Sequence, residues 1–152
     1  MCGKVRYTLK ATPLVVHACH CTQCQHVSGS AFVMNAVIGK GDVDLQSGTL
    51  KAFHFEHSSH TTFSCDQCAT NVWSEYAGYF KNCWFVRVGT LDDANLFPPD
   101  VHIFTSTRQP WVVLDDGTPC YTEFYPGLKA VWSAQSLQRF AELNESPPPD
   151  AD

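Results

Sequence analysis

The chain has no apolar run of the roughly 18 residues that a membrane-crossing helix needs. Its start, Met1-Cys2-Gly3-Lys4-Val5-Arg6-Tyr7, lacks the apolar core of a secretory signal. Charge is also scarce: Asp, Glu, Lys and Arg make up 16% of the residues, where roughly a quarter is usual. The ten Lys and Arg residues form no cluster and the net charge is −5. This balance argues against nucleic acid as the main partner and against anionic membrane surfaces. A surface so poor in charge fits either a homo-oligomer or a wide apolar pocket. We expect a cytoplasmic protein, where disulfides are rare and clustered thiols mean metal or catalysis.

At 152 residues, 44% of them hydrophobic, the chain is long enough to bury one core. We expect a single zinc-binding domain over residues 1–145 and a disordered tail, 146–152, rich in proline. The texture is mainly β. Val5, Tyr7 and Leu9 alternate along residues 4–10, as on a half-buried strand. Residues 31–38 read as a buried strand ending at a Gly39-Lys40-Gly41-Asp42 turn. Residues 50–56, 71–76 and 84–89 read as further strands. Helix is limited to residues 22–28, with Thr22 as N-cap and Gly29 as C′ residue, and 134–143 after Ser133.

Five of the eight cysteines fall into two tight groups. In Cys19-His20-Cys21-Thr22-Gln23-Cys24, a C-x-x-C turn sets two sulfurs on one side at tetrahedral zinc distance. Extended backbone, with its period of two, brings Cys19 to the same side. Three local ligands leave a fourth position open, the arrangement of a catalytic zinc. Cys65-Asp66-Gln67-Cys68 reads as a strand–knuckle–strand, half of a closed zinc site, with Cys2 a candidate third ligand. Two other readings stand beside this one. Cys21, Cys24, Cys65 and Cys68 also suit one four-thiolate zinc, and a C-x-x-C also suits a redox pair where a βαβ context exists. Cys83 and Cys120 read as small buried hydrophobes.

On these pieces the chain resembles the glutathione-dependent formaldehyde-activating (GFA, or CENP-V/GFA) family. The resemblance runs in order through residues 2–7, 19–24, 63–70, 88–93, 98–104 and Pro110-Trp111, covering roughly residues 2–123. It implies a β-tent fold of antiparallel sheets with zinc knuckles and one or two short helices. It implies two zinc sites per chain: a catalytic one on Cys19, Cys21 and Cys24, and a structural one on Cys2, Cys65 and Cys68. The family has a further cysteine two positions before Cys2, and Met1 stands one residue short of that place. Either the true start lies further upstream, or the second site has three protein thiolates and water, the terminal amine or another side chain completes it. Two other positions depart from the pattern. Ala69 stands where the family usually has glycine, tolerable at negative φ. Gln25 stands where many members have a basic residue, with consequences for the charged group the site prefers.

The implied activity is that of a carbon–sulfur lyase, S-(hydroxymethyl)glutathione synthase-like: glutathione or another small thiol adds to formaldehyde or a related small aldehyde. Metal coordination deprotonates thiols, and three thiolates temper the metal's Lewis acidity. His20, His26, Ser28 and His102 are candidate partners of the cluster. His20 reads equally as solvent-facing, His102 as a hydrogen-bonded core residue and Trp111 as a packing aromatic. The competing reading is a non-catalytic zinc module for protein partners, its first site closed by His20 or His26.

Overall fold

The computed structural model describes residues 2–56 and 58–145. The expected tail, 146–152, lies outside the described residues. The described strands are β1 (Arg6–Leu9), β2 (Val15–Cys19), β3 (Val33–Gly39), β4 (Val43–Ser47), β5 (Leu50–His54), β6 (His60–Cys65), β7 (Asn71–Tyr76), β8 (Cys83–Arg87) and β9 (Val101–Ile103). The helices are α1 (Thr22–Ser28) and α2 (Ala134–Glu145). The chain is mainly β. β1 and β4 form a two-stranded antiparallel sheet, and the other seven strands form one sheet in the order β5-β6-β7-β8-β3-β2-β9. All pairings are antiparallel except β2 with β9. β9 arrives after a long crossover from β8, which lets it run alongside β2 in the same direction.

Strand alternation gives the large sheet two buried faces. Val15 and Cys19 of β2, Val33 and Val37 of β3, and Cys83 and Phe85 of β8 share one core with Phe140 of α2. Val16, Ala36, Ile38 and Val86 point the other way, into a core with Trp73 that β1 and β4 cover. Tyr7 meets Trp73 edge to face at 5.4 Å there, and such a pair adds about 0.5–1.5 kcal/mol beyond its area. All five β2 residues are buried. With no solvent face the segment shows no polar alternation, which is why β2 is not among the sequence expectations.

α2 begins where expected: Ser133 Oγ accepts from Ser136 N at 3.0 Å. Leu137, Phe140 and Leu143 pack on the first core. A Cβ on Gly39 would lie 2.9 Å from Leu143 Cδ2, so glycine there lets the helix approach the sheet. α1 spans the expected residues, but its N-cap is Cys21, not Thr22. Cys21 has an extended backbone and its Sγ accepts from Cys24 N at 3.3 Å. Gly29 closes the helix at φ +63, the left-handed conformation that glycine adopts at least cost. The sheet's margins differ. β9 is backed by a bridge between His102 and Cys120, whereas β5 is the outermost strand on the other side and mostly exposed.

Candidate metal centres and the adjoining cavity

The end of β2 and the start of α1 bring Cys19, Cys21 and Cys24 together, with sulfurs all within 4.8 Å of one another. A tetrahedral zinc–thiolate site sets sulfurs roughly 3.8 Å apart, a separation this span accommodates. Soft sulfur donors suit zinc chemically as well. Cys19 and Cys24 are buried. Hydrogen bonds from the Cys19 and Cys24 thiols hold Cys21 well below the usual thiol range. Cys19 is raised as the matching donor to Cys21, and burial adds to the rise.

The second group joins Cys2 to the β6–β7 turn. Cys2, Cys65 and Cys68 also have sulfurs within 4.8 Å, and Cys2 Sγ lies 3.7 Å from Cys65 Sγ. Thr70 Oγ1 sits 3.2 Å from Cys68 Sγ and, with backbone donors, brings that thiol down to about 6. Ala69, expected at negative φ, has φ +57. The turn holds it there because Ala69 N bonds Cys65 O at 2.9 Å while Cys65 N bonds Thr70 O at 2.9 Å. The knuckle therefore takes a left-handed step at a residue other than glycine. Among the described residues each group offers three sulfurs. The single site of Cys21, Cys24, Cys65 and Cys68 does not form, because its two halves belong to separate groups.

His20 is buried rather than solvent-facing, and it is not a member of the sulfur group. Its Nε2 lies 3.0 Å from His102 Nδ1, and His102 Nε2 lies 3.0 Å from Asp116 Oδ2. The carboxylate only accepts. With both rings neutral, His102 therefore donates to Asp116 and His20 donates to His102. Burial holds His20 down at about 4. The expectation that His102 is a hydrogen-bonded core residue agrees with this arrangement. The backbone oxygen of His20 accepts from Gln25 Nε2 at 2.7 Å and Thr107 Oγ1 at 3.1 Å, and Gln109 Nε2 donates to Gln25 Oε1 at 2.6 Å. Gln25 thus clamps the cysteine loop rather than addressing a charged ligand. His26 is exposed, and neither it nor His20 belongs to the sulfur group, so neither closes the first site. Ser28 caps α1 from within, donating to Cys24 O at 2.8 Å. Trp111 is 72% exposed and packs no core. Cys120 is exposed, unlike the buried Cys83, because it lies on the bridge flanking β9.

Sequence reasoning misses the groups around the sulfurs. Arg87 at the end of β8 is buried and donates to Asn35 Oδ1 and Ser74 Oγ. Its positive charge acts on Cys24, Cys19 and Cys21 and would offset the formal −1 of three thiolates holding a divalent ion. The spacing Cys83, Phe85, Arg87 on one face of a strand is the signal that places it there. A cavity of about 260 Å³ opens beside Cys19, Cys21 and Cys24. Tyr76, Phe80, Phe85, Ile103, Phe104 and Phe124 form most of its wall. The second cluster borders a space of about 20 Å³.

A mainly β chain holding two three-thiol groups, one of them against a cavity, defines a class of proteins suited to soft metals and small substrates. Its sequence matches the family model for the glutathione-dependent formaldehyde-activating enzyme (GFA) over residues 1–107. The chain belongs to that family. A crystal structure of a Rhodobacter sphaeroides protein shares the fold, with a TM-score of 0.50 at 17% identity. The match covers 64% of this chain and 92% of that one. No helix among the described residues is long and apolar enough to cross a membrane.

Proposed function

We propose that this chain catalyses the addition of a small thiol, glutathione in the family's general case, to formaldehyde or a related small aldehyde. Its working unit spans residues 1–145, with Cys19, Cys21 and Cys24 as the catalytic zinc ligands and Cys2, Cys65 and Cys68 as a structural set. The observation that carries this reading is the convergence of three sulfurs on the floor of an open cavity. Zinc bound there supplies thiol activation and a template for two reactants.

The chain's own residues do the rest. Arg87 balances the negative charge of the sulfurs from a fixed position, held by Asn35 and Ser74. The His20–His102–Asp116 chain and the Gln25 clamp fix the loop between Cys19 and Cys21. The aromatic wall limits competing water at the reacting carbon. In the addition, sulfur bonds to the carbonyl carbon and the thiol's proton ends on the carbonyl oxygen.

Zinc-loaded protein should contain two ions per chain and accelerate S-hydroxymethyl adduct formation, followed by NMR. Cys21→Ser should abolish the acceleration. Adduct formation equal to wild type in that variant, at full zinc loading, ends this reading.

A further inference from the structure

We propose that the cavity beside Cys19, Cys21 and Cys24 receives an aromatic ring, so that the carbonyl partner of this site is an aryl aldehyde rather than formaldehyde. The chemistry rests on the thiol–aldehyde reading above; the recognition rests on the cavity alone.

Volume is the first observation. Formaldehyde has two heavy atoms and would leave nearly all of the 260 Å³ empty, a volume just under the roughly 300 Å³ at which sites for drug-sized ligands begin and so suited to one ring. The wall is the second. Tyr76, Phe80, Phe85, Phe104 and Phe124 present five rings, with Tyr76 and Phe85 edge to face at 4.7 Å and Phe80 and Phe85 at 5.6 Å. Rings set in this way leave faces and edges for a sixth. Charge is the third. No Lys, Arg, Asp or Glu side chain lines the cavity; besides the three thiols and Tyr76, its polar members are His17, Gln23 and Asn35. The buried cation nearest to it, Arg87, is engaged by Asn35 and Ser74. The two carboxylates and the ammonium of glutathione would find no countercharge inside, and unpaired charges are not buried. The thiol therefore enters by its sulfur end, and the cavity remains for the hydrocarbon of the other reactant.

Phe104 adds an independent sign of purpose. It holds φ +56, a conformation in which a bulky residue is an outlier that clusters at ligand sites. Its backbone is fixed there by Phe104 N to Glu123 O at 3.2 Å and Thr105 N to Tyr121 O at 3.1 Å. The step is redox-neutral. The S–H bond breaks, an S–C bond forms at the aldehyde carbon, the C=O becomes C–O, and the proton ends on oxygen as a hemithioacetal.

The test uses the full zinc-loaded chain with one thiol and two aldehydes, benzaldehyde and formaldehyde. Acceleration over the buffer reaction should be at least tenfold larger for benzaldehyde; equal or larger acceleration of formaldehyde overturns the proposal. Benzyl alcohol, which cannot react, should bind saturably in calorimetry, and cobalt-loaded protein should broaden its ring protons in NMR. Phe124→Asp, at the 38%-exposed edge of the wall, should weaken this binding at least fivefold. If neither aldehyde is accelerated, the thiol–aldehyde reading falls, and benzyl alcohol then decides ring recognition. Saturable binding with broadening supports it, and no binding, or binding without broadening, overturns it.

Discussion

Cys19 and Cys24 lie buried at the floor of a cavity of about 260 Å³, while Cys2 and Cys68 stand exposed above a space of about 20 Å³. Both clusters offer three sulfurs within the same span. What separates them is the room beside the sulfurs and the charge behind them. The first has a buried arginine and an aromatic wall. The second closes a strand–turn–strand against β1, where its neighbours are Val5, Tyr7 and Val72. In the function proposed above, an identical ligand count serves a reactive site in one place and a fastening in the other.

That contrast breaks most sharply under paired substitution. Cys21→Ser should cost activity well beyond the roughly 10–100-fold typical of a lost outer partner, with the melting temperature lowered less than in Cys68→Ser. Cys68→Ser should keep most of the turnover per folded molecule, lose one metal ion per chain, and melt several degrees lower because structural zinc contributes folding energy. Calorimetry, metal analysis and turnover on both variants check this. Equal turnover losses would erase the distinction.

Arg87→Met tests the charge behind the first cluster. Zinc affinity of that site should fall by about 10–100-fold while the second site is unchanged, measured by competition with a chelator. Stability should fall by about 1–3 kcal/mol because Asn35 and Ser74 lose their partner.

The acid limb of stability sharpens the same comparison, since the buried His60 meets Gln23 of the first cluster's helix at 3.1 Å. Burial, with the Arg87 charge, holds His60 down at about 4 against an ordinary 6.5. As pH falls through 6.5 the unfolded chain takes up the proton first, so stability present above 6.5 is lost progressively toward 4. His60 lies between Phe55 and Tyr76, stacked at 5.1 and 4.6 Å. His60→Phe keeps that stack and should flatten the slope of urea midpoint against pH between 7 and 4.5. An unchanged slope would place the acid sensitivity elsewhere. The smallest effect belongs to the second cluster. Ala69→Gly relieves φ +57 and should stabilise by about 0.5–1 kcal/mol, read as a raised urea midpoint without change in turnover.

Local signals in the sequence carried far. The C-terminal limit of α1 follows from Gly29, and most of β8 from its aromatic and β-branched run. The cysteine spacing gathers Cys19, Cys21 and Cys24 and pairs Cys65 with Cys68, because alternation and tight turns act over a few residues, whereas Cys2 joins the second pair from 63 residues away. The rest depends on pairing between distant segments. Nothing in Val15–Cys19 announces a strand buried on both faces. Phe104 and Phe124 meet Phe85 only after β9 has crossed to lie beside β2. Ala69 has a left-handed backbone because the hairpin's hydrogen bonds override its own preference, and His20 turns inward because His102, 82 residues away, waits for it.

The unequal margins of the large sheet bear on how copies of the chain can meet. Beyond β9, the Cys120 segment occupies the outer main chain. Among the described residues β5 has β6 on one side and no strand on its other; it exposes Phe53 and bears a single formal charge, at Lys51. Of the two margins, this is the one with main-chain groups left open among the described residues, and Lys51 is the charge that guards it.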